Sequence, residues 1–197
     1  MKSLIDNWRT ICIKKNFIGI GSTRKVYRMN DRVIKVHLNS LGYHQSRREY
    51  EIYNDLIGTE FARLLAPIEY VDKNICLQKY YREVPMHHNQ SFDIQKRSGN
   101  WSIPRNYEAT IKLLDEVYDA FDLKDSSNYG IDERGELVLI DYGMSKKIYE
   151  SQWVPKVENG EIPQIEFSTC EQCGEKKEIR VYGENDSDIR CVDCGKE

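Results

Sequence analysis

Four cysteines near the C-terminus form two CxxC pairs, Cys170 with Cys173 and Cys191 with Cys194, separated by seventeen residues. Four thiolates at such a spacing suit one tetrahedral Zn²⁺. Gly174 and Gly195 follow the pairs directly and permit the tight turn that lets both cysteines of a pair face one ion. A closed shell of four thiolates leaves no coordination position for a substrate, so this ion is expected to be structural. Disulfides or free thiols are the alternatives. The N-terminal stretch MKSLIDNWRT has no continuous apolar region and no cleavage site, which favours a reducing compartment and hence metal. A second set of residues is more dispersed. Residues 122–143, DLKDSSNYGIDERGELVLIDYG, carry Asn128 and Asp141 at the two mouths of a hairpin, thirteen residues apart. Gly19 and Gly21 lie between two strand-like runs, where backbone N–H groups can approach an anion. Lys35 sits inside the apolar strand pattern VIKV, where its ammonium either snorkels out or meets a charged partner. Glu49 is that candidate partner, on a helix face shared with Ile52 and Tyr53; Glu51 points about 200° round the helix.

Hydrophobic patterning suggests the elements that must position these groups. Residues 11–38 read as strand, glycine turn, strand and strand, with Val33, Ile34 and Val36 suited to a sheet. A helix is expected over about 45–56, with Tyr50, Tyr53 and Ile57 on one face and Gly58 as its stop. Two further strands flank the turn Asp72-Lys73-Asn74. After a polar, turn-rich segment, Ile111, Leu114, Val117, Tyr118 and Phe121 recur at helical spacing. ELVLID then reads as a buried strand. Residues 144–168 show no strong periodicity. The expected organisation is α+β, with a main domain over 1–150, a linker over 151–167 and a small ribbon over 168–197.

The order of the dispersed residues carries a resemblance. GIGSTRKV resembles the glycine-rich loop of the protein-kinase-like superfamily, VIKV its lysine-bearing strand, DLKDSSN its catalytic loop and DYG its metal-binding Asp-Phe-Gly. The likeness spans about residues 17–145 and implies a two-lobed kinase-like fold. By this resemblance, Lys35 would contact the α- and β-phosphates of ATP, paired with Glu49, beneath a loop containing Gly19 and Gly21. Asn128 and Asp141 would hold Mg²⁺, since both offer hard oxygen atoms. Gln78, Lys79 and Tyr80 would lie at the adenine-binding hinge. Asp122 would be the catalytic base and Lys124 would stabilise the transferring phosphate. The chain departs from the family in two respects. Asp122 stands six residues before Asn128, one more than in the kinase loop, and Ala120-Phe121 replaces His-Arg before it. The base is therefore Asp122, Asp125 or absent. Only about fifty residues follow Gly143, with no Ala-Pro-Glu, so the second lobe would be truncated, as in minimal kinase-like proteins of bacteriophages and bacteria. CEQC and CVDC resemble the knuckles of a zinc ribbon.

Bulk composition narrows the partners. The chain has 197 residues, a formal charge of −3 and no run of about 18 apolar residues, so neither a basic field nor a membrane span is expected. Residues 168–197 hold five basic against eight acidic residues, which argues against a nucleic-acid-binding ribbon. The expected activity is ATP- and Mg²⁺-dependent transfer of a phosphoryl group to a protein hydroxyl in the cytoplasm, the bacterial host's if phage-encoded. A nucleotide-binding pseudokinase serving as an interaction module, or a zinc-ribbon adaptor, are the competing readings.

Overall fold

A computed structural model describes residues 5–196. Met1 to Leu4, part of the stretch read above as no leader, and Glu197 of the ribbon lie outside the described residues. A short helix, α1 (Trp8–Ile11), precedes an antiparallel sheet of five strands. These are β1 (Phe17–Ile20), β2 (Arg24–Met29), β3 (Arg32–His37), β4 (Ile68–Val71) and β5 (Ile75–Lys79), in the order β1-β2-β3-β5-β4. The central strand β3 pairs Val26 with Lys35 on one side and Lys35 with Cys76 on the other. Lys35 is thus fixed in the middle of the sheet.

Helix α2 (Ser40–Leu56) covers this sheet. It begins five residues before the expected start because the Asn39 side chain caps it, accepting from the N–H groups of Leu41 and Gly42. Its buried face also differs from the expected one. Tyr50 and Ile57 are exposed, whereas Leu41, Gln45, Ser46, Glu49 and Ile52 are buried. The helix turns a partly polar stripe inward because the sheet beneath it presents buried cations, Arg24 and Lys35. Ile52 and Leu56, further along α2, enter the main core with Leu64, Ile94, Leu114, Leu137, Leu139 and Tyr142.

That core is shared by helix α3 (Tyr107–Glu116) and a three-stranded sheet, β6 (Arg82–Glu83), β7 (Tyr129–Ile131) and β8 (Leu137–Leu139), in the order β6-β7-β8. Helix α3 stops short of the expected Val117, which is exposed. The chain turns at Asp119, whose φ of 53° is left-handed and incompatible with a continuing helix. The hairpin β7–β8 brings its two ends together: the Asn128 carbonyl accepts from the N–H groups of Ile140 and Asp141, at 2.8 and 3.3 Å.

Residues 151–167, expected as a linker, carry regular structure. A helical run passes from α4 (Lys146–Ile148) through a π-helical turn (Tyr149–Trp153) into α5 (Val154–Glu158). Val157 and Ile162 pack on Leu41 at the start of α2. Strand β9 (Gln164–Thr169) begins inside the same segment and pairs antiparallel with β10 (Lys176–Val181). Ile179 of β10 lies with Cys170 and Cys191 in a small separate core. The chain is therefore α+β with a four-cysteine cluster near its C-terminus.

Candidate functional site

Burying Lys35 in the middle of β3 requires a counter-charge, because an unpaired ammonium in a low-dielectric interior is costly. The structure supplies it from α2: Lys35 Nζ lies 3.4 Å from Glu49 Oε2, and Glu49 is fully buried. Glu51 faces solvent and pairs with Arg47. Lys35 Nζ also donates to the Ile140 carbonyl at 2.6 Å, and the Gln78 side chain donates to the same oxygen at 3.0 Å. Two strands distant in sequence, β3 and β5, thus converge on the residue before Asp141.

A second buried cation, Arg24, occupies the first position of β2. Its Nη1 bonds Glu49 Oε1 at 2.9 Å and Ser46 Oγ at 3.1 Å, and its Nη2 lies 2.6 Å from Asp141 Oδ1. Two cations and two carboxylates form one compact network. Burial pushes the Glu49 carboxyl up, against the pull of Arg24 and Lys35. For Asp141 burial also works upward, but Arg24 and Lys35 outweigh it and hold the carboxyl below its usual range. Asp141 sits at the rim, with about a third of its side chain open to solvent.

Gly143 locks this rim to α2. A Cβ there would stand 2.0 Å from the Gln45 carbonyl oxygen and 2.9 Å from Glu49 Cγ, so only glycine admits the approach. Gly19 and Gly21 differ: a Cβ at either would meet nothing within 4 Å. Packing within the chain does not require glycine at these two positions, and the space above them is open.

Across the rim, Asn128 Nδ2 donates to the Asp122 carbonyl at 2.7 Å and lies 3.3 Å from Asp122 Oδ2. Asp122 has a left-handed φ of 58°, a strained conformation for a residue with a side chain. Desolvation, then the neighbouring Asp125 charge, raises its carboxyl to about 6, although the residue keeps an exposed surface that water screens. Asp125 instead caps the following turn, accepting from Ser127 N–H at 2.7 Å and from Ser91 Oγ at 3.0 Å. Lys124 is exposed. Phe121, one residue before Asp122, stacks on Tyr149 at 4.1 Å, and Tyr149 stacks on Trp153 at 4.9 Å. The Trp153 indole then donates to Ser22 Oγ at 3.2 Å, joining the Asp122 loop to the glycine loop.

Gln78 and Tyr80, expected at a ligand-facing hinge, are engaged within the chain. Gln78 is buried and committed to Ile140, and the Tyr80 N–H donates to the Asp31 carbonyl at 2.8 Å. A cavity of about 320 Å³ between Arg82, Met86, Arg97 and Trp101 contains none of the residues above. A second, of about 270 Å³, opens beside Asp122 and Asp125 and is walled on its far side by Ile165, Phe167 and Glu178 of the β9–β10 hairpin.

The four cysteines at the end of that hairpin come together, with sulfur atoms all within 4.8 Å of one another. A zinc–sulfur bond of about 2.3 Å sets neighbouring sulfurs about 3.8 Å apart, so a small contraction yields a tetrahedral shell. Gly174 and Gly195 have φ of 73° and 98°, which supply the knuckle turns. N–H donors from Cys173, Cys191 and Gln172 lower the Cys170 thiol to about 6, the Cys173 contribution being largest, as suits a thiolate ligand. The cluster can bind a metal such as zinc.

Three hydrogen bonds are among those that dock the hairpin on the rest of the described chain. Asn89 Nδ2 donates to the Lys176 carbonyl at 3.2 Å, and Ser91 N–H to Glu178 Oε1 at 2.8 Å. Arg180 Nη1 donates to the Gly21 carbonyl.

No protein-family model and no curated protein matches the chain. Among the described residues no helix is long and apolar enough to cross a membrane.

Proposed function

We propose that the chain is an ATP- and Mg²⁺-dependent phosphotransferase of the protein-kinase-like superfamily, acting on a hydroxyl acceptor on a protein. In this reading the five-stranded sheet with α2 is the nucleotide-facing lobe. The β6–β8 sheet with α3 is a reduced second lobe, and the cysteine ribbon holds a structural zinc. The observation that carries the proposal is the convergence of Lys35, Glu49 and Ile140 beside Asp141, with Asn128 across the rim.

Each residue then has a chemical task. Lys35, oriented by Glu49, offers its ammonium to the phosphates under the open loop at Gly19 and Gly21. Among the described residues no group donates to Asn128 Oδ1, so this oxygen and the Asp141 carboxylate fit a hard divalent cation. When bound, Mg²⁺ neutralises charge on the transferring phosphoryl group. Asp122, held by Asn128, orients the acceptor hydroxyl and takes its proton. Lys124 adds positive charge to the same loop. Gln78 acts through the Ile140 carbonyl rather than on nucleotide.

A second reading rests on Arg24. Its guanidinium already occupies Asp141 Oδ1, as a built-in cation would, and this favours a nucleotide-binding module without transfer. The test is to incubate zinc-loaded protein with γ-labelled ATP, Mg²⁺ and a bacterial lysate, beside Lys35→Ala and Asp141→Ala. Label transferred by the wild type and lost in both variants is the expected result. Transfer unchanged by Asp141→Ala rejects the assignment, and nucleotide binding without transfer to any acceptor favours the second reading.

A further inference from the structure

Two of the described arginines are buried to within a few per cent, Arg24 and Arg180. Arg24 lies between two carboxylates. Arg180 has no carboxylate within ion-pair distance among the described residues. Its Nη1 donates to the Gly21 carbonyl and its Nη2 to the Tyr182 hydroxyl at 2.9 Å, while its buried Nε has no partner. A guanidinium does not shed its proton in a protein, so Arg180 is a buried cation held by neutral acceptors alone. Such a group lacks an anion. The place it reaches is the glycine loop, where the positions of Gly19 and Gly21 are open.

The hairpin fixes this side chain from below. Successive strand residues face opposite sides. Ile179 packs with Cys170 and Cys191, so its neighbour Arg180 points away from the cluster and onto the loop. Order around the cysteines is therefore order at Arg180.

We propose that Arg180 is a phosphate ligand: the metal-tied hairpin completes the anion site at the glycine loop with a guanidinium supplied from 159 residues further along the chain. The proposal rests on the nucleotide-binding reading above and adds a group that reading does not contain. It assigns the ribbon a direct task in binding a polyphosphate, beyond capping the fold.

The test uses the full chain loaded with Co²⁺, whose thiolate charge-transfer bands report an intact cluster. Affinities for adenosine and for a non-hydrolysable β,γ-imido ATP analogue with Mg²⁺ are measured by calorimetry for wild type, Arg180→Met and Arg180→Lys. Loss of a charge-assisted hydrogen bond to phosphate weakens the analogue by about ten- to a hundredfold in Arg180→Met, with adenosine unchanged. Arg180→Lys, which keeps the charge, loses less. If the cobalt bands fail in Arg180→Met, the comparison passes to Arg180→Lys, which again must lose analogue and not adenosine. Equal weakening of both ligands, or no change in either with the bands intact, overturns the proposal and leaves the nucleotide reading standing. A wild type that binds neither ligand overturns both.

Discussion

The network around Glu49 and the cluster around Cys170 hold charge in opposite ways. Arg24, Lys35 and Glu49 come from β2, β3 and α2 and Asp141 from the loop after β8, and tertiary packing alone brings them together. The cysteines come from two short knuckles with little apolar core around them, Ile179 being their main buried companion. The first site is held in place by packing drawn from across the fold. The second is rigid only to the extent that its ligands are tied. A disturbance at the ribbon should therefore stay local, and one at Glu49 should spread.

For a metal-loaded cluster, metal removal is expected to make the largest difference between the two regions. Structural zinc contributes roughly 10–16 kcal/mol of apparent binding energy to small domains. Chelation, or Cys173→Ser, is expected to raise amide exchange across residues 164–196 while β3 keeps its protection; equal loss in both regions would contradict the contrast. Next in size, Glu49→Ala leaves two buried cations short of a partner and should cost about 3–5 kcal/mol, read from urea unfolding. Gly143→Ala forces a methyl group into the Gln45 carbonyl and should cost about 1–3 kcal/mol by the same measurement. If it is neutral, the rim is not locked to α2 as described.

Acidity gives a subtler probe. The Asp122 carboxyl is raised from 3.8 to about 6 in the folded chain. Its folded form therefore favours the proton, so its contribution to stability is present below pH 3.8 and lost as pH rises through about 6. Asp122→Asn should flatten the urea midpoint between those values, and on the proposed reading phosphoryl transfer should fall as pH drops through about 6. A midpoint profile identical in the variant would show that Asp122 is not shifted. The smallest effect belongs to the exposed Arg47–Glu51 pair, where Glu51→Gln should change stability by no more than about 0.5 kcal/mol. A larger value would mean that surface charge on α2 matters as much as its buried stripe.

These differences also explain what could be read in advance. The four thiol ligands lie within 25 residues and declare themselves by type and spacing, so the cluster is legible from the chain alone. Lys35 and Glu49 are legible as a pair because a lysine inside an apolar strand needs an acid. The rest of the inward face of α2 was hidden, since apolar periodicity favoured Tyr50 and Ile57 and the helix instead turns Gln45 and Ser46 to the core beside Glu49. Arg24 was hidden among ordinary strand charges. Charge balance is the signal that could have found it: two acids at one site, the buried Glu49 and the rim residue Asp141, outnumber the single Lys35. The docking of β10 on Gly21 had no local signature, because its partners are separated by most of the chain.

The stacked rings of Phe121, Tyr149 and Trp153 limit how this protein can breathe. They run from the Asp122 loop to Ser22, so separating the two sides of the site means unstacking a pair of rings or releasing the indole from its hydroxyl. Each such contact is worth about 0.5–1.5 kcal/mol. Populations follow exponentially, so each contact that opening must break makes the open form about two- to tenfold rarer than it would be without the strut. The indole of Trp153 is the last ring of this strut, so its fluorescence should report release from the Ser22 hydroxyl.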